Sequence, residues 1–432
     1  MLARQRVFDF GPSDHFTALH GGHRCPVAVA TKSVEGEFQQ RLYPHADARQ
    51  MLVNLAGVDD LNTYLSQSGF AQPGGRRTVG QVRALTSWWV DLDSYKLPAF
   101  AGLDAEQMLN AAIERFPWLP TPTLLVSSGR GSYLVWAFNA PVGVERLAEW
   151  QEVEDRLVWM LEPFGADAAA RDAARILRVV GSFHLVAGDR VRASRIGDAV
   201  SFERMRQLVL QHAPVKSPRF KEAAELRVLE GAGVVRPRTG KGLSAYRLAQ
   251  DRMNDYRLLA ELRGGRLTDY RHRMLYAFGQ ASSWFCGSVE QLRSELDEFA
   301  DRYFADARRY RAQRVQSVID RFVDDGAGRV VRLASTRDEG RYRFSNRYII
   351  SLLSIDRAEQ MRLRTIISTA EKRRRETEKR RAAGMMSREQ YRDRSAQRRT
   401  EALRMRSEGL SVAAIAEHLG VSRMWAYKLL SG

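Results

Sequence analysis

The spacing of apolar residues changes twice along this chain. Up to about residue 215 they fall in short runs, PVAVAT, SWWVDLD, TPTLLVSSG, SYLVWAF and ARILRVVGSFH, interspersed with stretches of helical period such as Leu147 to Leu161. Strands alternating with helices predict an α/β or α+β domain. From about 214 to 243 the pattern gives way to Pro, Gly and Lys/Arg, which predicts a linker. Between about 246 and 325 apolar residues recur at three and four, the mark of packed helices with a charged outer face. A short unit, RYRFSNRYIISLLSIDRAEQMRLRTIIS, follows, and the segment after it is nearly devoid of apolar side chains. The expected layout is a sheet domain over 1–213, a linker over 214–245, a helical domain over 246–330, a connecting unit over 331–370 and a basic C-terminal domain over 371–432.

Composition narrows the class. A chain of 432 residues exceeds one hydrophobic core, and a formal charge of +17 biases it toward a polyanionic partner, nucleic acid first. Residues 357–406 hold 17 Lys/Arg against 7 Asp/Glu, so ten of the excess charges sit there. That imbalance argues for phosphate contacts rather than a solvated helix. No apolar run is long enough for a membrane span, the first residues lack the apolar core of a signal peptide, and Cys25 and Cys286 are too few for a disulfide scaffold. A cytoplasmic location without membrane partners is expected. His20, His23 and Cys25 in HGGHRC lack the second ligand pair of a zinc site and read as loop residues. RTGKGLS fails as a P-loop because Val235 and Gly242 stand where Gly and Ser/Thr are required.

Three motifs carry chemistry. In SWWVDLD the side chains of Asp91 and Asp93 point to one face of a strand end while Trp89, Val90 and Leu92 anchor it. Two carboxylates that close repel unless a divalent cation neutralises them, and Mg²⁺ or Mn²⁺ suits such a pair with substrate phosphates. In VSSGRGSYLVW the turn Ser128, Gly129, Arg130, Gly131 joins two strands, and its backbone N–H groups with the Arg130 charge can cradle a triphosphate. In ADAAARDAARILRVVGSFH a short helix bearing Asp167 and Asp172 leads to a strand carrying Arg178. Asp172 is preferred as the third carboxylate, with Arg175 or Arg178 on phosphate.

This order, hhhDhD, then SGxG with an aromatic strand, then D-x-x-x-x-L-R-x-x-G-S, resembles the catalytic core of the archaeo-eukaryotic primase superfamily, specifically the primase-like replication proteins of plasmids and integrative elements. The resemblance covers roughly residues 60 to 195. It implies an α+β class, with an RRM-like catalytic module followed by an all-α domain and a C-terminal helix-turn-helix. It implies primer synthesis from nucleoside triphosphates on a DNA template, with Asp91, Asp93 and Asp172 holding Mg²⁺ or Mn²⁺. The Ser128 to Gly131 turn and Arg178 would contact the nucleotide, and a separate helicase is a candidate partner. Two departures stand out. Tyr133 replaces the histidine many members carry two residues after the second glycine, and RVVGSFH replaces RLPGTxN, with Val180 for proline and His184 for asparagine.

The C-terminal LSVAAIAEHLGVSRMWAYKLL has the caps Ser411 and Ser422, an apolar ridge of Val412, Ile415, Ala416 and Leu419, and a turn at Gly420 to Val421. This is the spacing of a helix-turn-helix. Its second helix would offer Ser422, Arg423, Met424, Tyr427 and Lys428 to origin DNA, with Trp425 in its core. The combined expectation is a replication initiator of a mobile element; the competing one is a DNA-binding initiator or regulator that keeps the fold without catalysis.

Overall fold

The computed structural model describes residues 10–100, 102–213, 245–310, 315–326, 344–384, 386 and 388–431. The expected linker, except its last residue, and the RTGKGL stretch lie outside the described residues, as do 327–343. The chain divides into two compact units, Met1–Ile366 and Ile367–Gly432.

The first unit starts with helix α1 (Pro12–His20), strands β1 (Val27–Ser33) and β2 (Phe38–Tyr43), helix α2 (His45–Ala56), and strands β3 (Leu61–Ser66), β4 (Ser68–Phe70) and β5 (Val82–Leu92). Helix α3 (Ala105–Arg115), strands β6 (Leu124–Ser127) and β7 (Ser132–Gly143), and helix α4 (Leu147–Met160) follow. Strands β8 (Ile176–Arg178), β9 (Phe183–His184), β10 (Asp189–Arg190) and β11 (Arg192–Arg195) and helix α5 (Phe202–His212) complete the sheet domain of this unit. The strands form a four-stranded sheet, β2-β1-β3-β8, and a five-stranded sheet, β11-β6-β7-β5-β4, all pairs antiparallel, with β9 and β10 apart. Antiparallel sheets with helices packed on them make the domain α+β.

Strands β3 and β4 are one extended stretch that changes sheet at Gln67. Thr86 donates to the Gln67 carbonyl at 2.8 Å and the Gln67 N–H donates to Arg175 O at 2.9 Å, so this corner ties both sheets together. Strand β5 is buried on both faces. Trp88, Trp89, Trp136 and Trp150 are fully buried, each removing about 150–250 Å² from water, and each indole N–H finds a carbonyl. Pairing the indoles matters because an unsatisfied buried donor would offset much of that gain.

The helices Ala245–Leu262, Arg271–Ser282, Val289–Tyr303 and Gln316–Gly326 form the expected bundle, and it docks on the sheet domain through polar side chains. Asp155 of α4 pairs with Arg171 at 2.8 Å and accepts from the Tyr246 hydroxyl at 2.6 Å. Glu295, fully buried, accepts the Val79 N–H and, at 3.3 Å, the Gly80 N–H. The segment after residue 344 folds as helices Asn346–Leu353 and Arg357–Arg362. It is pinned to the bundle by Asp255, whose carboxylate accepts the N–H groups of Arg364, Thr365 and Ile366 at 2.7 to 2.9 Å.

The second unit contains the helices Thr369–Ala382, Arg388–Ser407, Val412–His418 and Arg423–Ser431. The last three enclose a small core of Ala402, Met405, Ile415, Ala416, Ala426 and Leu429. Ser411 caps as expected, accepting from the Ala414 N–H at 3.2 Å, and Ser422 accepts from the Trp425 N–H at 3.3 Å.

Two local expectations need correction. The alanine-rich ADAAARDAAR forms no helix; it is a 3₁₀ turn, Ala168–Ala170, capped by Asp167, followed by a bend at Asp172. Tertiary pairing overrides helix propensity here, because Ala166 bridges to Leu92 and the Trp89 indole holds the Ala170 carbonyl at 2.7 Å. His20 closes α1 rather than lying in a loop, His23 lies in the loop that follows, and both are buried. Their rings hydrogen-bond each other at 2.9 Å, and the other His20 nitrogen meets the Ser66 carbonyl at 2.9 Å.

Candidate active site

Strand β5 ends at Leu92, and its last turn delivers the acidic pair. Asp91 lies directly across from Tyr133 of β7, and Asp93 begins a tight turn, its N–H held by the Gly165 carbonyl at 2.9 Å. The Asp167 N–H donates to the Asp91 carbonyl at 2.8 Å beside the antiparallel Leu92–Ala166 bridge, which sets Asp167 next to Asp91. Like charges opposite one another across a strand pair are unfavourable. Burial first, then Asp93 and Asp167, push the Asp91 carboxyl up to about 7, while Arg175 and Arg178 pull it back.

The sequence preferred Asp172 to Asp167 as the third carboxylate; the structure sets Asp167 beside Asp91 and pairs Asp172 with Arg175. Asp172 is 1% exposed, accepts from the Ala174 N–H at 3.1 Å and pairs with Arg175 at 3.2 Å. The charge of the half-buried Arg77 also acts on it, and Arg77 donates to the Ala174 carbonyl. Asp172 therefore fixes the bend that carries Arg175, and Asp167 is the acid beside the pair.

Arg178 reaches the same place from the other sheet. It lies on β8 opposite Tyr64, with its guanidinium 5.5 Å from that ring centre and 3.5 Å from the Tyr133 hydroxyl. Burial, then Asp91, push the Tyr133 hydroxyl up, so it stays protonated. Tyrosine cannot bring the positive charge of a histidine; the neighbouring Arg178 does.

The Ser128 to Gly131 turn closes the hairpin between β6 and β7, with the Ser128 N–H donating to Gly131 O at 2.9 Å. Both glycines are required by close approach. A Cβ on Gly131 would stand 2.5 Å from the Leu92 carbonyl, and one on Gly129, at φ +102°, would stand 2.6 Å from His184 Nδ1. The turn thus presses on the end of β5 and on His184. His184 is 2% exposed, and burial, then Arg178, lower its pKa against the Ser128 backbone, which raises it. Arg130 is exposed, 4.7 Å from the Tyr95 ring centre.

Two residues that the sequence did not single out belong here. Lys96 pairs with Asp93 at 2.5 Å, and Tyr64 backs Arg178. Among the described residues no three His, Cys, Asp or Glu side chains stand close enough to cage a metal by themselves. The donors nonetheless suit a hard cation, because they are neighbouring carboxylate oxygens, and Mg²⁺ commonly takes one or two carboxylates plus substrate phosphates.

In the C-terminal unit Ser422, which caps the last helix, and Arg423, Met424, Tyr427 and Lys428 on it are exposed, Met424 at 72% and Tyr427 at 63%. Trp425 packs against the core, with the Arg398 guanidinium 5.7 Å from its ring centre.

Residues 393–432 match the family described as a homeodomain-like domain. A stretch of 149 residues, 34% of the chain, is 33% identical to a replication protein of Clostridium perfringens, and the chain spans 34% of that relative's length. Among solved structures the chain is similar to the AEP domain of the cyanophage S-2L primase-polymerase, at 16% identity and a TM-score of 0.32, over 46% of this chain and 95% of that one. It is also similar to primase RepB', at 15% identity and a TM-score of 0.32, over 73% and 94%. No helix among the described residues is long and apolar enough to cross a membrane.

Proposed function

We propose that this protein initiates DNA replication for a plasmid or other mobile element, synthesising primers by metal-dependent nucleotidyl transfer and binding origin DNA through its helix-turn-helix. The observation that carries the catalytic reading is that Asp91 has Asp93 two residues on and Asp167 bonded to its carbonyl, while Arg178 of the other sheet meets its cross-strand neighbour Tyr133. Mg²⁺ or Mn²⁺, held by Asp91 and Asp93 with Asp167 in place of Asp172, would lower the pKa of an attacking 3′-hydroxyl and offset charge on the α-phosphate and departing pyrophosphate. Arg178 and Arg175 bind phosphate oxygens of the nucleoside triphosphate. The N–H groups of the Ser128 to Gly131 turn and Arg130 hold its outer phosphates, and Tyr133 and His184 orient it by hydrogen bonds. At the other end, Arg423 and Lys428 meet base edges or phosphates while Met424 and Tyr427 supply apolar contact.

The test supplies single-stranded template, NTPs or dNTPs and Mn²⁺ to the wild type and to Asp91→Ala/Asp93→Ala. Product from the wild type alone supports the reading; equal product from both removes it. One observation favours the competing reading, a DNA-binding initiator without catalysis: Lys96 already neutralises Asp93, and Tyr133 carries no charge of its own. Absence of incorporation alongside intact origin binding would decide for it.

A further inference from the structure

The helix Thr369–Ala382 sorts its charges onto two faces. On one, Glu371 accepts Arg374 Nε and Nη2 and Arg375 Nε, each at 2.8 Å, and Arg374 also pairs with Glu378. The two arginines are half-buried by this clamp. On the other, Lys372, Arg373, Lys379 and Arg380 are exposed, and among the described residues their side chains make no hydrogen bond or ion pair. They sit as two adjacent pairs seven residues apart, two helical turns or about 10 Å, so they form one stripe. Only Glu376 interrupts it, leaving a net charge of +3. The helix buries no apolar side chain that would explain this face by packing; Glu371 is its sole buried residue among those described. Four solvated cations on one side are costly to hold together by self-repulsion and gain most from a polyanion that releases its counterions on contact.

We propose that the Lys372, Arg373, Lys379 and Arg380 stripe lies on the phosphate backbone of duplex DNA outside the helix-turn-helix footprint, adding affinity without sequence preference. This rests on the DNA-binding reading of residues 393–432, which begin 11 residues after the helix ends at Ala382. The paired arginines serve the helix itself, and the free face serves the ligand.

The experiment measures binding of the full chain to a short random duplex and to a preferred duplex, across about 50 to 200 mM salt. Changing the four cations to glutamine keeps good helix formers. Each lost phosphate contact removes about 0.9 from the log–log salt slope, so the quadruple variant should flatten it by about 3 to 4 and weaken binding about a thousandfold near 0.1 M salt. Preference for one duplex over the other should stay unchanged. Glu376→Gln, a variant whose gain no misfolding can imitate, should steepen the slope and tighten binding several-fold. A quadruple variant with the wild-type slope, or a loss seen on phosphatidylserine vesicles but not on DNA, overturns the proposal. Failure of the wild type to bind either duplex overturns the helix-turn-helix reading as well, so the two failures are told apart.

Discussion

Charge is handled in opposite ways in the two halves of the molecule. Where the two sheets meet, three carboxylates and two arginines are half-buried, and burial first, then the neighbouring carboxylates, raises the Asp91 carboxyl to about 7. In the C-terminal unit the cations stay in solvent, apart from the few that Glu371 and its like hold, and among the described residues six form the buried core of its last three helices. Buried like charges destabilise the fold that carries them, whereas solvated ones are nearly neutral to it. The two regions should therefore answer mutation differently: where the sheets meet stability and chemistry move in opposite directions, and in the tail binding moves alone.

The sharpest break of that contrast is Asp91→Asn. Primer synthesis should fall at least about a thousandfold, while the midpoint in urea rises as about 1–2 kcal/mol of repulsion is relieved. Asp167→Ala should lose activity to a similar degree. Asp172→Ala should instead cost about 3 kcal/mol of stability, by leaving Arg175 and Arg77 without their carboxylate. Activity that survives Asp167→Ala but not a stability-neutral change at Asp172 would return the third-acid role to Asp172.

Next in size is Glu295, where the bundle meets the sheet domain. Burial, then Glu298, raise its carboxyl to about 7. A carboxyl raised on folding stabilises the protein below its ordinary value near 4.5, and that contribution is lost as pH rises through about 7. Unfolding titrations should lose on the order of 3 kcal/mol between pH 4.5 and 7.5, and Glu295→Gln should flatten that loss. A variant with the wild-type pH profile would show that Glu295 is not the group responsible.

Ile415→Ala removes a fully buried side chain from the small C-terminal core and should cost that unit about 2–4 kcal/mol, leaving primer synthesis on an unspecific template intact. Arg423→Ala is the mildest. It should leave thermal stability within about 0.5 kcal/mol of wild type and reduce discrimination between origin and random DNA by about 1–3 kcal/mol. An unchanged specificity ratio would count against base reading by that side chain.

Much of this architecture was legible because its signals are local. The alternation around Asp91, the glycines of the Ser128 to Gly131 turn, the three-and-four spacing of the bundle and the caps Ser411 and Ser422 all sit within a few residues of what they specify. The choice between Asp167 and Asp172 was not local. It depends on Ala166 bridging to Leu92, a pairing over more than seventy residues, and alanines with high helix propensity pointed the other way. The same holds for Tyr133 opposite Asp91 and Arg178 above it, since cross-strand register and sheet-to-sheet approach leave no mark in the neighbouring sequence. Burial of His20 and His23 was missed for a related reason: the carbonyl of Ser66 that satisfies one of them is 46 residues away.

The switch of one extended stretch between sheets at Gln67 has a bearing on how the molecule comes into being. Arg178 belongs to one sheet and Asp91 to the other, so neither sheet on its own can assemble the site. During synthesis the acidic strand emerges from the ribosome before its cationic counterpart, and until residue 178 has been added and docked only the local Lys96 opposes its carboxylates. Any piece cut between those two strands would inherit half of an ion cluster and little of its balance.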